Sequence, residues 1–102
     1  MVSIALGSGW YFNSGASFHM TGDEKLFNDL EEKYIQMHIE MGNDRRYNAI
    51  GIGTINFKRD SSKPFQLKYV MHVLGLKKNL VSVTMLEDRG YDIVYRDGKY
   101  FM

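Results

Sequence analysis

The residues that could do chemistry lie in one short stretch, WYFNSGASFHMT, from Trp10 to Thr21. An aromatic strand runs into a series of small residues, and Gly15 lets the backbone approach another group because it has no Cβ. Ser14 and Ser17 add hydroxyls that both donate and accept hydrogen bonds. From these residues alone, the simplest interpretation is a strand that ends in an ordinary turn, since such short motifs are common.

The elements around this turn follow from the spacing of apolar residues. The stretch 23–32 predicts a short helix capped by Asp23, because its apolar residues recur at helical spacing. Alternation of apolar and polar residues then predicts three strands, over 34–41, 47–58 and 65–73. The middle strand changes its buried face near Gly53, which indicates a bulge or a twist.

The last part of the chain predicts one clear helix and a hairpin. The helix starts near Asn79, a good capping residue, and ends before Gly90, a good stop. Asp97-Gly98 between two short runs of apolar residues predicts a hairpin turn. The predicted fold class is therefore mostly β, a small closed or sandwich-like barrel with one clear helix, in a single domain over residues 1–102.

Composition excludes several classes of function. The chain has no cysteine, so disulfides, thiolate nucleophiles and cysteine-based zinc sites are excluded. A net charge of +1 without a basic cluster argues against nucleic-acid binding. No stretch approaches the ~20 apolar residues of a membrane span, and we expect no signal peptide. The histidines at 19, 38 and 72 fit no compact metal motif, so we expect no metal and no cofactor.

The motif stretch resembles the catalytic turn of a known protease family. Ser14-Gly15-Ala16 after a hydrophobic strand is similar to the Asp-Ser-Gly-Ala or Asp-Thr-Gly-Ala motif of retropepsin-like aspartic proteases. Residues 17–22, SFHMTG, narrow the resemblance to the protease segment of plant copia-type LTR retrotransposon polyproteins. Similar segments continue along the chain: KLF at 25–27, GIGT at 51–54 and GLKKNLVSV at 75–83. The family's catalytic aspartate falls on position 13, where this chain has Asn13.

The resemblance implies a homodimer, because an aspartic protease needs two carboxyl groups that share one proton. One motif copy supplies one such group, so position 13 of each subunit would lie at a two-fold axis. The family then implies that the Ser14 hydroxyl braces the two turns against each other. Gly15 and Ala16 would complete the tight turn that orients the pair.

The family also implies a flap and a substrate. The best candidate for the flap is the hairpin over 34–57, with Gly51 and Gly53 giving mobility and with Ile50, Gly51, Ile52 and Gly53 binding an extended peptide of the polyprotein. The Val73-Leu74-Gly75 segment resembles the element that passes beside the catalytic turn and leads into the helix. The location implied is the cytoplasm, within a retroelement particle.

Asparagine at position 13 conflicts with catalysis, because an amide has no titrating proton and cannot act as a general base. Two explanations fit: a deliberate substitution that stops cleavage, which the otherwise intact motif favours, and a natural copy that has lost activity. The first hypothesis is thus an aspartic endopeptidase domain in an inactive form. The second is a non-catalytic peptide-binding or dimerisation module on the same fold, and a small β-barrel that binds nucleic acid is a third.

Overall fold

The fold is known from a computed structural model, which describes residues 9–40, 46–57 and 65–101. It is built of short and long strands with two helical segments, the 3-10 turn Glu24–Leu26 and the helix α1, Val83–Asp88. The strands are β1 Trp10–Asn13, β2 His19–Thr21, β3 Asp29–Glu40, β4 Arg46–Phe57, β5 Phe65–Val73, β6 Asn79–Ser82, β7 Val94–Arg96 and β8 Lys99–Phe101. The mostly β prediction, with a helix in the C-terminal part, is confirmed.

Six strands form one sheet in the order β1-β6-β2-β5-β4-β3, and β7 and β8 form a separate hairpin. β1 runs parallel to β6, and β2 runs parallel to β5. β2 is antiparallel to β6, while β3, β4 and β5 form an antiparallel meander. The strand that carries the motif therefore pairs with a strand from the far end of the domain.

The predicted closed barrel is wrong for the described residues, because their sheet is open. β1 and β3 are its two ends, and each is paired along one side within the described ranges. Alternation along a strand indicates which face is buried. It does not encode which strands pair at the two ends of a sheet, so the alternation could not predict whether the sheet closes into a barrel.

Two apolar clusters hold the sheet, one on each side of β6. Leu80 and Val81 are neighbours, so their side chains point to opposite faces, and both are buried. Leu80 belongs to the cluster Ala16, Met20, Ala49, Met71, Val73, Leu76 and Leu80. Val81 belongs to the cluster Ile55, Phe65, Leu67, Val70, Val81 and Leu86. Because the first cluster includes Ala16, the motif turn is anchored in the core.

The predicted helix over 23–32 is wrong. Its first residues form the short 3-10 turn, and β3 already begins at Asp29. Asp23 is nevertheless a cap, because its Oδ1 accepts a hydrogen bond from the Lys25 N–H at 3.0 Å. Pairing of Leu30 with Gly53 on β4 outweighs the helical spacing of the apolar residues.

The C-terminal helix begins four residues later than predicted. Residues 79–82 form β6, and Ser82 is the cap, accepting from the Met85 N–H at 3.1 Å. The strand that passes beside the motif turn is therefore β6, not the segment Val73-Leu74-Gly75 that the resemblance indicated. Leu76 instead packs against Gly22, beyond the other end of β2.

Three local predictions are confirmed. The aromatic strand before the motif turn is β1, along which Tyr11 and Asn13 are exposed and Trp10 and Phe12 are half-buried. β4 shifts register between Gly53 and Ile55, as a bulge requires. The Asp97-Gly98 turn has φ of 53° and 75°, the values of a type I′ hairpin. The link between the predicted strands over 34–41 and 47–58 lies almost wholly outside the described residues.

Candidate functional site

The motif turn begins where β1 ends, at Asn13. The exposed Asn13 side chain folds back, and its Oδ1 accepts a hydrogen bond from the Gly15 N–H at 2.7 Å. This contact closes a turn that asparagine and aspartate both form, because each supplies the same acceptor oxygen. The turn is thus shaped for either residue.

Two hydroxyl groups from the junction of β6 and α1, the β6–α1 corner, donate hydrogen bonds to carbonyl groups of this turn. The Ser82 Oγ donates to the Ala16 carbonyl at 2.6 Å, in a buried contact. The Thr84 Oγ1 donates to the Ser14 carbonyl at 3.2 Å, in an exposed one. The register of β1 with β6 places Ser82 opposite Asn13, so these contacts follow from the strand pairing.

His19 lies under the turn and is buried, with an exposed fraction of 1%. Its Nδ1 accepts a hydrogen bond from the Ser82 N–H at 2.9 Å, so the other ring nitrogen, Nε2, carries the proton of the neutral ring. Burial, the larger cause, and the positive charge of Arg89 together lower the pKa of His19 from 6.5 to about 4. His19 is therefore a neutral acceptor near pH 7.

Asn13 and Ser14 both face solvent, whereas Ala16 is buried. Ser14 uses its carbonyl to accept from Thr84, which leaves its side chain at the surface. The C-terminal hairpin packs beside β1, where the rings of Phe12 and Tyr100 stack at 4.4 Å between centroids. The surface around Asn13 is thus built by β1, the β6–α1 corner and the C-terminal hairpin.

The predicted substrate-binding residues, Ile50 to Gly53, lie in the middle of β4. Gly51 and Gly53 each pair with β3 on one side and with β5 on the other. In the sheet order, three strands separate this segment from β1. The structure therefore keeps the two predicted groups of site residues on different strands, joined through the core cluster that contains Ala16 and Ala49.

The two glycines of β4 have a packing role, and the mobility that the resemblance implies for them stays a prediction. A Cβ at Gly53 would lie 2.1 Å from the Asp29 carbonyl oxygen. A Cβ at Gly51 would lie 3.0 Å from the Glu31 carbonyl oxygen. Glycine suits both positions because the paired strand β3 brings these carbonyl oxygens close to the β4 backbone.

The end of the β3–β4 hairpin remains the candidate flap. Ile39 pairs with Tyr47 beyond the end of β5, and residues 41–45, which join the two strands in sequence, lie outside the described residues. Ile35, Ile39 and Tyr47 pack on the cluster that contains Ala16. This arm of the hairpin thus shares its apolar contacts with the motif turn.

A groove of about 410 Å³ lies over β3, β4 and β5, and Ile52 and Gly53 contribute to it. Its lining is Asp29, Ile52, Gly53, Thr54, Gln66, Lys68 and Tyr69. Of the four predicted substrate-binding residues, two therefore reach this groove. Their role in binding stays a prediction.

In the described ranges no three histidine, cysteine, aspartate or glutamate side chains are placed to hold a metal ion together. The helices among these residues are too short and too polar to cross a membrane.

The sequence did not reveal the parts played by Ser82, Thr84 and His19. A serine before a helix is a typical cap, and Ser82 carried that signal. Asn79 carried it equally well, so the local sequence could not choose between them. What decides is the pairing of Leu80 and Val81 with β1, which is a contact far along the chain.

Together the fold and the site define a mostly β domain in which an Asn-Ser-Gly-Ala turn is held by the strand and helix that follow it late in the chain. The chain belongs to the family described as Pol polyprotein, beta-barrel domain, whose profile matches residues 10–91. It is 31% identical, over 96 residues and 91% of its length, to the retrovirus-related Pol polyprotein from transposon TNT 1-94 of Nicotiana tabacum. The chain spans 7% of that polyprotein. None of the solved structures matches the chain.

Proposed function

We propose that this chain is the retropepsin-like aspartic endopeptidase domain of a copia-type retrotransposon polyprotein, in a form that Asn13 makes inactive. Its substrate class is an extended peptide of the Gag-Pol polyprotein, and its place is the cytoplasm, within the retroelement particle. Membership of the Pol polyprotein family supports the polyprotein context. The resemblance of the motif to the family's catalytic turn supports the reaction.

The observation that carries the proposal is the geometry of the Asn13 turn. The Oδ1 of Asn13 accepts from the Gly15 N–H at 2.7 Å, while the side chain stays exposed at the end of β1. Aspartate fits the same geometry with one oxygen bonded to Gly15 and the other facing solvent. The geometry therefore supports an exposed carboxyl group at the end of β1 when aspartate stands at position 13.

The chemistry implied needs two copies of the turn. With aspartate at position 13 in both subunits, one carboxylate accepts a proton from water and the other carboxyl group donates toward the scissile carbonyl. Two amides cannot perform either transfer. We therefore expect the chain as it stands to hydrolyse no peptide.

The test is the substitution Asn13→Asp. We expect cleavage of a polyprotein fragment on the acid side of neutrality, where one of the two coupled carboxyl groups keeps its proton. The measurement is cleavage across a pH series, with an active-site-directed aspartic protease inhibitor present in parallel samples. Asn13→Gln is the matched control, because it keeps an amide and should stay inactive.

The second candidate function is a peptide-binding or dimerisation module without catalysis, and Asn13 itself favours it. A folded, dimeric Asn13→Asp variant that shows no inhibitor-sensitive cleavage would contradict the protease and leave this module. Binding of the same polyprotein fragment by the unmodified chain, measured by calorimetry, is then the experiment that supports it.

A further inference from the structure

Ser82 makes three hydrogen bonds to three different elements. Its Oγ donates to the Ala16 carbonyl at 2.6 Å in the motif turn and accepts from the Met85 N–H at 3.1 Å in α1. Its N–H donates to the Nδ1 of His19 at 2.9 Å on β2. Ser82 is fully buried, with an exposed fraction of 0%, so none of these bonds is exchanged with water without opening the fold.

We propose that Ser82 is a positioning residue for the motif turn, and that the neutral imidazole of His19 holds it in place. Loss of the Ser82 hydroxyl, or protonation of His19, loosens Ala16 and with it the Asn13–Gly15 contact. The role is one of positioning, because neither side chain lies at the exposed end of β1. Its consequence for catalysis rests on the proposed function, whereas its consequence for the shape of the turn does not.

Protonation acts through one bond. A protonated ring carries hydrogen on both nitrogens, so Nδ1 loses the lone pair that accepts from the Ser82 N–H. The two N–H groups would then face each other inside the fold, and β6 must move away from β2. Because Asn13 pairs with Ser82 in the β1–β6 register, that movement reaches the motif turn.

Several ionisable groups lie on the elements packed around His19. The charge of Arg89, which follows α1, opposes protonation, and Arg89 stacks on the ring of Tyr69 at 4.5 Å. β5, which pairs with β2, also carries Lys68 and His72; α1 carries Glu87 and Asp88; β6 carries none. His72 lies on β5, the strand next to β2, and is also a histidine. A control variant must therefore replace His72 to show that an effect of pH comes from His19.

The first test uses the chain as it is, by NMR at neutral pH. Ser82→Ala removes the Oγ and keeps the N–H, and Ser17→Ala is the matched control in the same turn. We expect Ser82→Ala to shift the amide signals of Gly15 and Ala16, with smaller shifts from Ser17→Ala. Equal shifts from the two variants, with both folded, would overturn the role of Ser82.

The second test follows the same two amide signals as pH falls from 6.5 towards 4. We expect them to move with the ring signals of His19, and to stay still in His19→Asn, which keeps an acceptor near Nδ1 and does not titrate. His72→Asn should leave the movement intact. Signals that still titrate in His19→Asn would refute the role of His19. If acid unfolds the chain before the signals move, the pH of unfolding is compared instead. A parent chain that unfolds at a lower pH than His19→Asn would also refute the role of His19.

The third test uses the Asn13→Asp background. We expect Ser82→Ala to lower kcat roughly 10–100-fold with KM nearly unchanged, because a misplaced catalytic group slows the chemical step. An inactive Asn13→Asp parent contradicts the proposed function alone, and the two NMR tests then decide on Ser82 and His19.

Discussion

At the scale of single residues, asparagine and aspartate differ at position 13 in one terminal atom. The shared oxygen bonds the Gly15 N–H, and the other atom faces solvent at the end of β1. The fold therefore accepts both residues with the same turn. Under the proposed function, exchanging these two residues would change the chemistry at the turn and leave the packing around it as it is.

His19 makes stability depend on pH in a defined window. Its pKa falls from 6.5 in the unfolded chain to about 4 in the fold. The unfolded chain therefore binds the proton first, so stability is full above pH 6.5 and falls as pH drops towards 4. The loss in the free energy of unfolding amounts to about 3 kcal/mol, because a tenfold change in proton affinity corresponds to ~1.4 kcal/mol.

Urea unfolding at a series of pH values measures this loss. The difference between the parent and His19→Asn isolates the histidine, since acidic groups elsewhere affect both chains alike. We expect the two stabilities to change in parallel above pH 6.5 and to diverge below it. A constant difference across the series would mean that the His19 ring binds its proton equally well in the fold and in the unfolded chain, and would contradict the lowered pKa.

At the scale of elements, the close approach of β3 to the paired strand β4 should make Gly53 far less tolerant of a side chain than Gly51. A Cβ would meet backbone at 2.1 Å in the first case and at 3.0 Å in the second. We expect Gly53→Ala to cost about 3 kcal/mol or more, and Gly51→Ala about 1–2 kcal/mol. Thermal or urea unfolding of both variants measures the two losses of stability. Equal losses would contradict the closer approach of β3 at Gly53.

The elements also show what the sequence could and could not predict. β1, the β4 bulge and the Asp97-Gly98 turn follow from local signals, because alternation and turn residues act over a few neighbours. The helix predicted from the spacing at 23–32 is wrong, because pairing of β3 with β4 overrides local preference.

The same division runs through the candidate site. Asn13 and Gly15 are neighbours, so the motif itself could be found in the sequence. Ser82 and His19 could not be assigned, because their contacts with the turn depend on β1 pairing with β6. The prediction of a closed barrel was wrong for the same reason, because closure depends on pairing between strands that are far apart in the sequence.

At the scale of the whole molecule, the proposed function requires two copies. The described residues hold one copy of the motif turn, with Asn13 and Ser14 at the surface. We expect sedimentation at roughly tens of micromolar chain to show a dimer, because one motif copy cannot form a paired site. Ser14→Ala should weaken the dimer and Ser17→Ala should not. A chain that stays monomeric at these concentrations contradicts a preformed paired site.

The pairing of β1 with β6 also sets an order of events when the domain is made. Trp10 meets Asn79, and β2 is inserted between β5 and β6, so the sheet cannot be completed by the N-terminal half alone. Such distant pairing makes folding slow compared with local hairpins. On a ribosome, the chain must therefore emerge beyond Ser82 before the motif turn takes its shape. Within a growing polyprotein, the site is assembled only after its own domain has been almost wholly translated.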